Sequence, residues 1–170
     1  MESLVVTGMF EQSLQDRLDG LRNRHFPPGL NRVPAHISLF HYLPGSVLAD
    51  LADAVTSALP CLPAEATFTG IKLLGRGVAL AVTGPGLEAL HHELSARYSG
   101  YLTRQDRQPF RPHVTIQNKV DPPVARTLAG RLRENFVPEH FTVMTVAVWF
   151  YRAGRWESAA SIPWNSGSAP

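Results

Sequence analysis

The string histidine, apolar, hydroxyl, apolar occurs twice in this chain, as His36-Ile37-Ser38-Leu39 and as His113-Val114-Thr115-Ile116. In a β-strand successive side chains point to opposite faces, so each string puts an imidazole and a hydroxyl on one face and two apolar side chains on the other. Such a strand can bury one face in a core while its polar face lines a cleft. The surroundings of the two strings also match. Each follows a predicted strand, helix and loop, and each precedes a turn, a second helix and a further strand. That order is an internal duplication of a β-α-β-α-β unit within a single domain, with halves of about residues 1–75 and 76–165. Two such halves packed about a pseudo-two-fold axis bring the motif strands to matching positions across a cleft.

Hydrophobic periodicity and turn residues supply the elements. Residues 3–9 and 35–43 read as strands around a helix over 11–24, in which Leu14, Leu18 and Leu21 recur at helical spacing. A proline-bearing loop over 26–34 separates that helix from the second strand. A second helix over 47–59 carries the stripe Val47, Leu51, Val55 and Leu59. Strands over 64–74 and 78–83 meet at Gly75-Arg76-Gly77, a hairpin signal. Then come a helix over 86–98, a polar loop over 99–110 with the character of a mobile lid, and a strand over 112–120. Asp121 as N-cap, with prolines behind it, opens a fourth helix. Strands over 141–152 and 155–162 are joined at Ala153-Gly154.

At 170 residues, 44% hydrophobic and 18% charged, the chain can build a core and is too weakly charged to read as disordered. No apolar run approaches the roughly 20 residues of a membrane span. The start, Met1-Glu2-Ser3, lacks the basic lead of a signal peptide, so a cytoplasmic protein is expected. The single cysteine, Cys61, excludes an intrachain disulfide and a cysteine-only zinc site. No glycine-rich phosphate cradle, His-Glu-x-x-His string or Gly-x-Ser-x-Gly elbow occurs. The chemistry is therefore expected to need neither a metal nor a cofactor.

Either string alone would weigh little, because a lone histidine is more often a surface or core residue. Two copies at equivalent places in a repeat are hard to explain as packing. Burying an unsatisfied imidazole or hydroxyl would cost about 1–3 kcal/mol each, and a core needs neither. His36 and His113 are thus the candidate general base and general acid, in an order the sequence leaves open. Ser38 and Thr115 are the candidate hydroxyl donors to an anion between them.

His41 lies five positions after His36, and alternation sends it to the opposite face. His91 and His92, adjacent on a helix, read as solvated, and nothing singles out His25 or His140. The loops ahead of both strings are basic: Arg22, Arg24 and Arg32 precede His36, and Arg104, Arg107 and Arg111 precede His113. Loops entering the strand ends rim the cleft with positive charge, which with a formal net charge of +2 suits a phosphate ligand. Arg111, two residues from His113, is the leading phosphate contact, with Arg104 and Arg107 behind it. Strict alternation puts Phe40 on the Ser38 face as a candidate to stack on a base, with Gln117 in the equivalent place after Thr115. Tyr151, alternating with Trp149 on the penultimate strand, is a further candidate.

At these residues the chain resembles the two-histidine (2H) phosphoesterase superfamily, which includes the bacterial 2'-5' RNA ligases and cyclic nucleotide phosphodiesterases. The resemblance rests on His36-Ile37-Ser38-Leu39 and on Phe110-Arg111-Pro112-His113-Val114-Thr115-Ile116. The doubled element order extends it over nearly the whole chain. It implies a bilobal α+β fold: two antiparallel sheets flanking a central cleft, with helices outside. It implies opening of a 2',3'-cyclic phosphate to a 2'-phosphate, or the joining of RNA ends. The partner implied is an RNA end or a cyclic nucleotide, with no membrane and no obligate protein partner, and a monomer is expected. Two other readings stay open: a module that binds RNA ends without turnover, and a phosphodiesterase of a small cyclic nucleotide metabolite. The presence of all four polar motif residues argues against a degenerate site.

Overall fold

Strand β1 (Ser3–Phe10) is buried from Leu4 to Gly8 without alternation. The reason is its place: it pairs along one edge with β2 (Ile37–Pro44) and along the other with β6 (Glu139–Arg152). The computed structural model describes residues 2–165 of the chain. The other strands are β3 (Glu65–Leu73), β4 (Val78–Thr83), β5 (His113–Gln117) and β7 (Arg155–Pro163). The helices are α1 (Gln12–His25), α2 (Leu48–Ala58), α3 (Pro85–Arg97) and α4 (Pro122–Glu134). The fold is α+β.

Every strand pair is antiparallel, in the order β2-β1-β6-β3-β4-β5, with β7 pairing β6. The two expected sheets are joined into one hydrogen-bonded path. With 14 residues, β6 is long enough to serve both: its first four residues pair β3, and the remainder pairs β1 and β7. The order reads the same from either end when β1, β2 and β3 exchange with β4, β5 and β6.

Glu11 caps α1 by accepting from the Leu14 N–H at 2.8 Å. Leu14 and Leu18 are buried one turn apart, and Arg22, four residues further on, is also buried. The side of α1 that begins as core therefore ends by delivering a cation. α1 packs against β5, while α3 stacks His91 on Phe40 of β2 with ring centroids 4.9 Å apart. Each of these helices thus lies on a motif strand from the other half of the sequence. At α4, Asp121 occupies the expected N-cap place, but its side chain makes no capping bond.

The main core runs from Leu4 and Phe10 through Ile37, Leu51 and Leu90 to Val148. A smaller cluster of Val78, Ile116, Ala125, Leu128 and Ala129 lies under α4. Each fully buried leucine in these clusters contributes about 1.5–3 kcal/mol by leaving water. Gly77, just ahead of β4, lets β5 come close: a Cβ there would sit 2.0 Å from the Gln117 carbonyl oxygen. Among the described residues no helix is long and apolar enough to cross a membrane.

Candidate active site

His36 stands one residue ahead of β2, and α1 fixes the backbone beside it. Asp19 accepts from the Ala35 N–H at 2.6 Å, and Gln15 Nε2 donates to the Ala35 carbonyl at 2.9 Å. The imidazole is then oriented by its own chain: Nδ1 donates to the Pro34 carbonyl at 2.7 Å. His113 opens β5 and repeats the device, with Nδ1 donating to the Arg111 carbonyl at 3.0 Å. In both rings the bond fixes the proton on Nδ1, which leaves Nε2 for chemistry.

Directly after each hydroxyl residue the strand bulges. Thr7 pairs Ser38, yet its neighbour Val6 pairs Phe40, so Leu39 is an extra residue on β2. On β5, Ala79 pairs Thr115 while Val78 pairs Gln117, so Ile116 is extra at the same place. A bulge reverses the facing of the residues directly beyond it, and on β2 a second register shift follows before Leu43. Phe40, expected to line the cleft, is 0% exposed in the core, and Gln117 follows it inward. His41, expected on the opposite face, returns to the cleft, as does Asn118 just past β5. The sequence carried a trace of this: Leu39-Phe40 are consecutive apolar residues where strict alternation demands one polar.

His36, Ser38, His113 and Thr115 line one cleft of about 740 Å³. Tyr151, foreseen as a candidate, lines it too, and with Tyr42, Phe26 and Trp156 it makes the walls aromatic. Trp156 of β7 lies against His36 with ring centroids 4.6 Å apart. Trp149 is set behind it and donates to Thr7 Oγ1 at 2.9 Å. Arg111 is not on this cleft. It lines a side compartment of about 190 Å³ that shares Ser38, His41 and His113 with the cleft. Arg104 and Arg107 line neither space: Arg104 is exposed, and Arg107 Nε is spent on the Leu102 carbonyl at 3.0 Å. Both sit on the loop over 99–110, whose Asp106 is fastened to the His41 and Tyr42 N–H groups of β2.

The chain matches the family model described as the 2'-5' RNA ligase superfamily over residues 10–155. It belongs to the 2'-5' RNA ligase superfamily. Solved structures agree on the fold. TT0787 of Thermus thermophilus superposes with a TM-score of 0.65 at 15% identity, over 98% of this chain and 100% of that one. E. coli LigT complexed with 3'-AMP gives 0.58 at 19% identity, over 96% and 98%. LigT complexed with NADP+ gives 0.55 at 16%, over 95% and 97%. No curated protein matches the chain by sequence.

Within this member of the 2'-5' RNA ligase superfamily, the cleft is lined by three cations, the exposed Arg32 and Lys119 and the buried Arg22. Arg22 is 3% exposed. Nη1 donates to the Thr115 carbonyl at 2.7 Å, Nε to Asn31 Oδ1 at 2.9 Å, and the guanidinium lies 4.3 Å over the Phe26 ring. No carboxylate bonds it among the described residues. Burial holds its pKa down at about 10, opposed by Asp19. A buried arginine whose partners are neutral keeps its charge for a ligand. Arg22 stands at the four-residue step after Leu14 and Leu18, but at about 100° per residue Leu21 lies nearer that stripe, so spacing does not single out the arginine.

The two histidines differ in depth. Burial pushes His36 down to about 4, against the pull of the Pro34 carbonyl, and Arg22, His41 and His113 push it further down. His113 is also lowered, first by burial and then by Lys72 and His41, with the Arg111 carbonyl opposing. Desolvation disfavours the charged ring in both places, more at His36. Among the described residues no three His, Cys, Asp or Glu side chains converge as metal ligands would.

Proposed function

We propose that this chain is a metal-independent phosphodiesterase that opens 2',3'-cyclic phosphates of RNA ends or nucleotides to 2'-phosphates by two-histidine acid–base catalysis. One observation carries the reading: His36 and His113, each with Nδ1 tied to the carbonyl two residues back, line a single cleft. Membership of an enzymatic superfamily supports it, and so does the naming of 3'-AMP and NADP+ in the LigT complexes.

His36, kept neutral by burial, takes a proton from water as the water oxygen attacks phosphorus. The bond from phosphorus to O3' breaks, and His113 gives its Nε2 proton to O3'. The negative charge of the bound cyclic phosphate favours the imidazolium that His113 needs. A 2'-phosphate and a free 3'-hydroxyl result, after which His36 releases its proton to solvent and His113 takes one up. Ser38, Thr115 and Arg22 donate to the non-bridging oxygens as charge builds on them. Acid–base assistance of this kind contributes about 10²–10⁴-fold. The aromatic wall of Tyr151, Trp156 and Tyr42 receives the base. With the 5'-hydroxyl of a second strand in place of water, the same steps join two RNA ends through a 2'-5' linkage.

The test is incubation of the purified chain with adenosine 2',3'-cyclic phosphate and with an oligoribonucleotide ending in a cyclic phosphate, followed by phosphorus NMR. A 2'-phosphate product in the presence of EDTA is expected. Intact cyclic phosphate throughout, or activity lost in EDTA and restored by a divalent metal, sinks the proposal. Tight binding of the oligonucleotide without turnover would identify a binding module instead.

A further inference from the structure

The scheme above leaves one imidazole of the cleft unused. The bulge after Ser38 turns His41 onto the boundary between the main cleft and the side compartment, and it lines both. Its Nδ1 lies 2.8 Å from Asp106 Oδ1. The same carboxylate accepts the backbone N–H of His41 at 3.0 and 3.1 Å and that of Tyr42 at 3.1 Å. The Asp106 side chain is 1% exposed. Burial pushes its carboxyl up, but the bonds from the His41 ring and from the two N–H groups bring it below its ordinary value. It is therefore an anion that accepts, so Nδ1 of His41 carries a proton and Nε2 is the nitrogen left for a ligand. Around His41 are His36, His113, Lys72 of β3, Arg111 and His91 of α3, and the main cleft adds the cations Arg22, Arg32 and Lys119. Among the described residues, Asp106 is the one carboxylate lining either space.

We propose that His41 is a phosphate ligand that takes up a proton as the anion arrives. Nδ1–H stays on Asp106, and a proton drawn from solvent gives Nε2 a hydrogen to donate to a phosphoryl oxygen. With an anion on each side, only the imidazolium satisfies both acceptors. Asn118, at the corresponding place just past β5, can donate a hydrogen bond but cannot change charge. The inference rests on the proposed function insofar as the anion is the phosphate of substrate or product.

Calorimetric titration of the full chain with inorganic phosphate, and separately with adenosine 2'-phosphate, tests it. Repeating each titration in buffers of different ionisation enthalpy counts the protons taken up. His41→Gln is expected to take up fewer protons than the wild type and to bind about tenfold more weakly, the scale of a charge-assisted hydrogen bond. In turnover, KM should rise more than kcat falls. His41→Lys, whose charge needs no uptake, should recover the affinity and not the uptake. Asp106→Asn should lower the uptake, whereas His140→Gln, which removes an imidazole outside the cleft, should leave both readings unchanged. Equal uptake in wild type and His41→Gln overturns the proposal, as does a loss confined to kcat, or a His41→Lys chain no better than His41→Gln. The uptake and affinity readings need no turnover. A chain with His41-dependent uptake that leaves cyclic phosphates intact would end the proposed function and spare this inference.

Discussion

The motif strands β2 and β5 carry the same ladder geometry and end up with different chemistry. Each presents a histidine whose Nδ1 bonds a carbonyl two residues back, then a hydroxyl, then a bulge. We read this likeness, together with a strand order that is the same from both ends, as support for a domain made of two copies of one unit. The differences lie in what surrounds the strands. His36 is covered by Trp156 and lies near the buried Arg22, whereas His113 is half-buried and answers to Lys72 instead. Beyond the bulge, β2 turns Phe40 inward and His41 outward, while β5 turns Gln117 inward and leaves Asn118, just past the strand, outward. The backbone thus sets where groups point, and under the proposed scheme the side chains suit one strand to hold the base and the other the acid.

The largest test of that division is deletion of each ring. His36→Ala and His113→Ala should each lower kcat by about 10²–10⁴-fold. The double variant should lose little beyond either single one, because two groups that act in one step are not additive. A double loss equal to the product of the single losses would mean the rings work apart.

The inward turn of the bulge is tested by stability. Phe40→Ala should cost about 3–5 kcal/mol, read by chemical denaturation, because it empties a core position. Gln117→Leu should be neutral or stabilising, since the buried Oε1 of Gln117 has no hydrogen-bond partner and such an atom costs about 1–3 kcal/mol. A Phe40→Ala chain of wild-type stability with a raised KM would put Phe40 back on the cleft.

Arg22 sharpens the contrast between the halves, because α3 offers leucines, Leu90 and Leu94, in its buried stripe. Arg22→Gln should lower kcat/KM by about 10²-fold, the scale of one donor to a developing anion. Arg22→Lys should restore little, since one ammonium cannot bond Asn31, the Thr115 carbonyl and a phosphate in the planar fork. Full rescue by lysine would reduce Arg22 to a bulk charge.

The smallest effect is on the pH profile. The base must be neutral, so kcat/KM should rise with pH through the depressed His36 value of about 4. The acid must be protonated, so kcat/KM should fall above the His113 value, which is lowered from 6.5. The bell is therefore expected on the acid side of a free imidazole pair. An optimum above pH 7 would discard the scheme, because exchanging the two roles leaves the bell between the same two values.

Much of the architecture was legible along the chain. Leu14 and Leu18, the stripe Leu51 and Val55, and the Gly75-Arg76-Gly77 turn are local signals, and the elements fell where they pointed. The motif residues His36, Ser38, His113 and Thr115 reached one cleft from two alternating strings. The basic run ahead of His36 brought Arg22 and Arg32 to the cleft, whereas the one ahead of His113 misled. Proximity in sequence brought Arg111 only to the side compartment, and Arg104 and Arg107, on the loop that Asp106 ties to β2, to neither space. His41 and Phe40 exchanged faces for a reason no single strand contains: a bulge exists only relative to its partner's register.

By itself the sequence determined the order of helices and strands and the residue types able to move a proton, since both follow from spacings of a few residues. The tertiary structure alone decided which faces meet, which arginine is buried and how deep each imidazole lies. Those properties depend on desolvation and on pairing between residues far apart in the chain, and no local pattern records them.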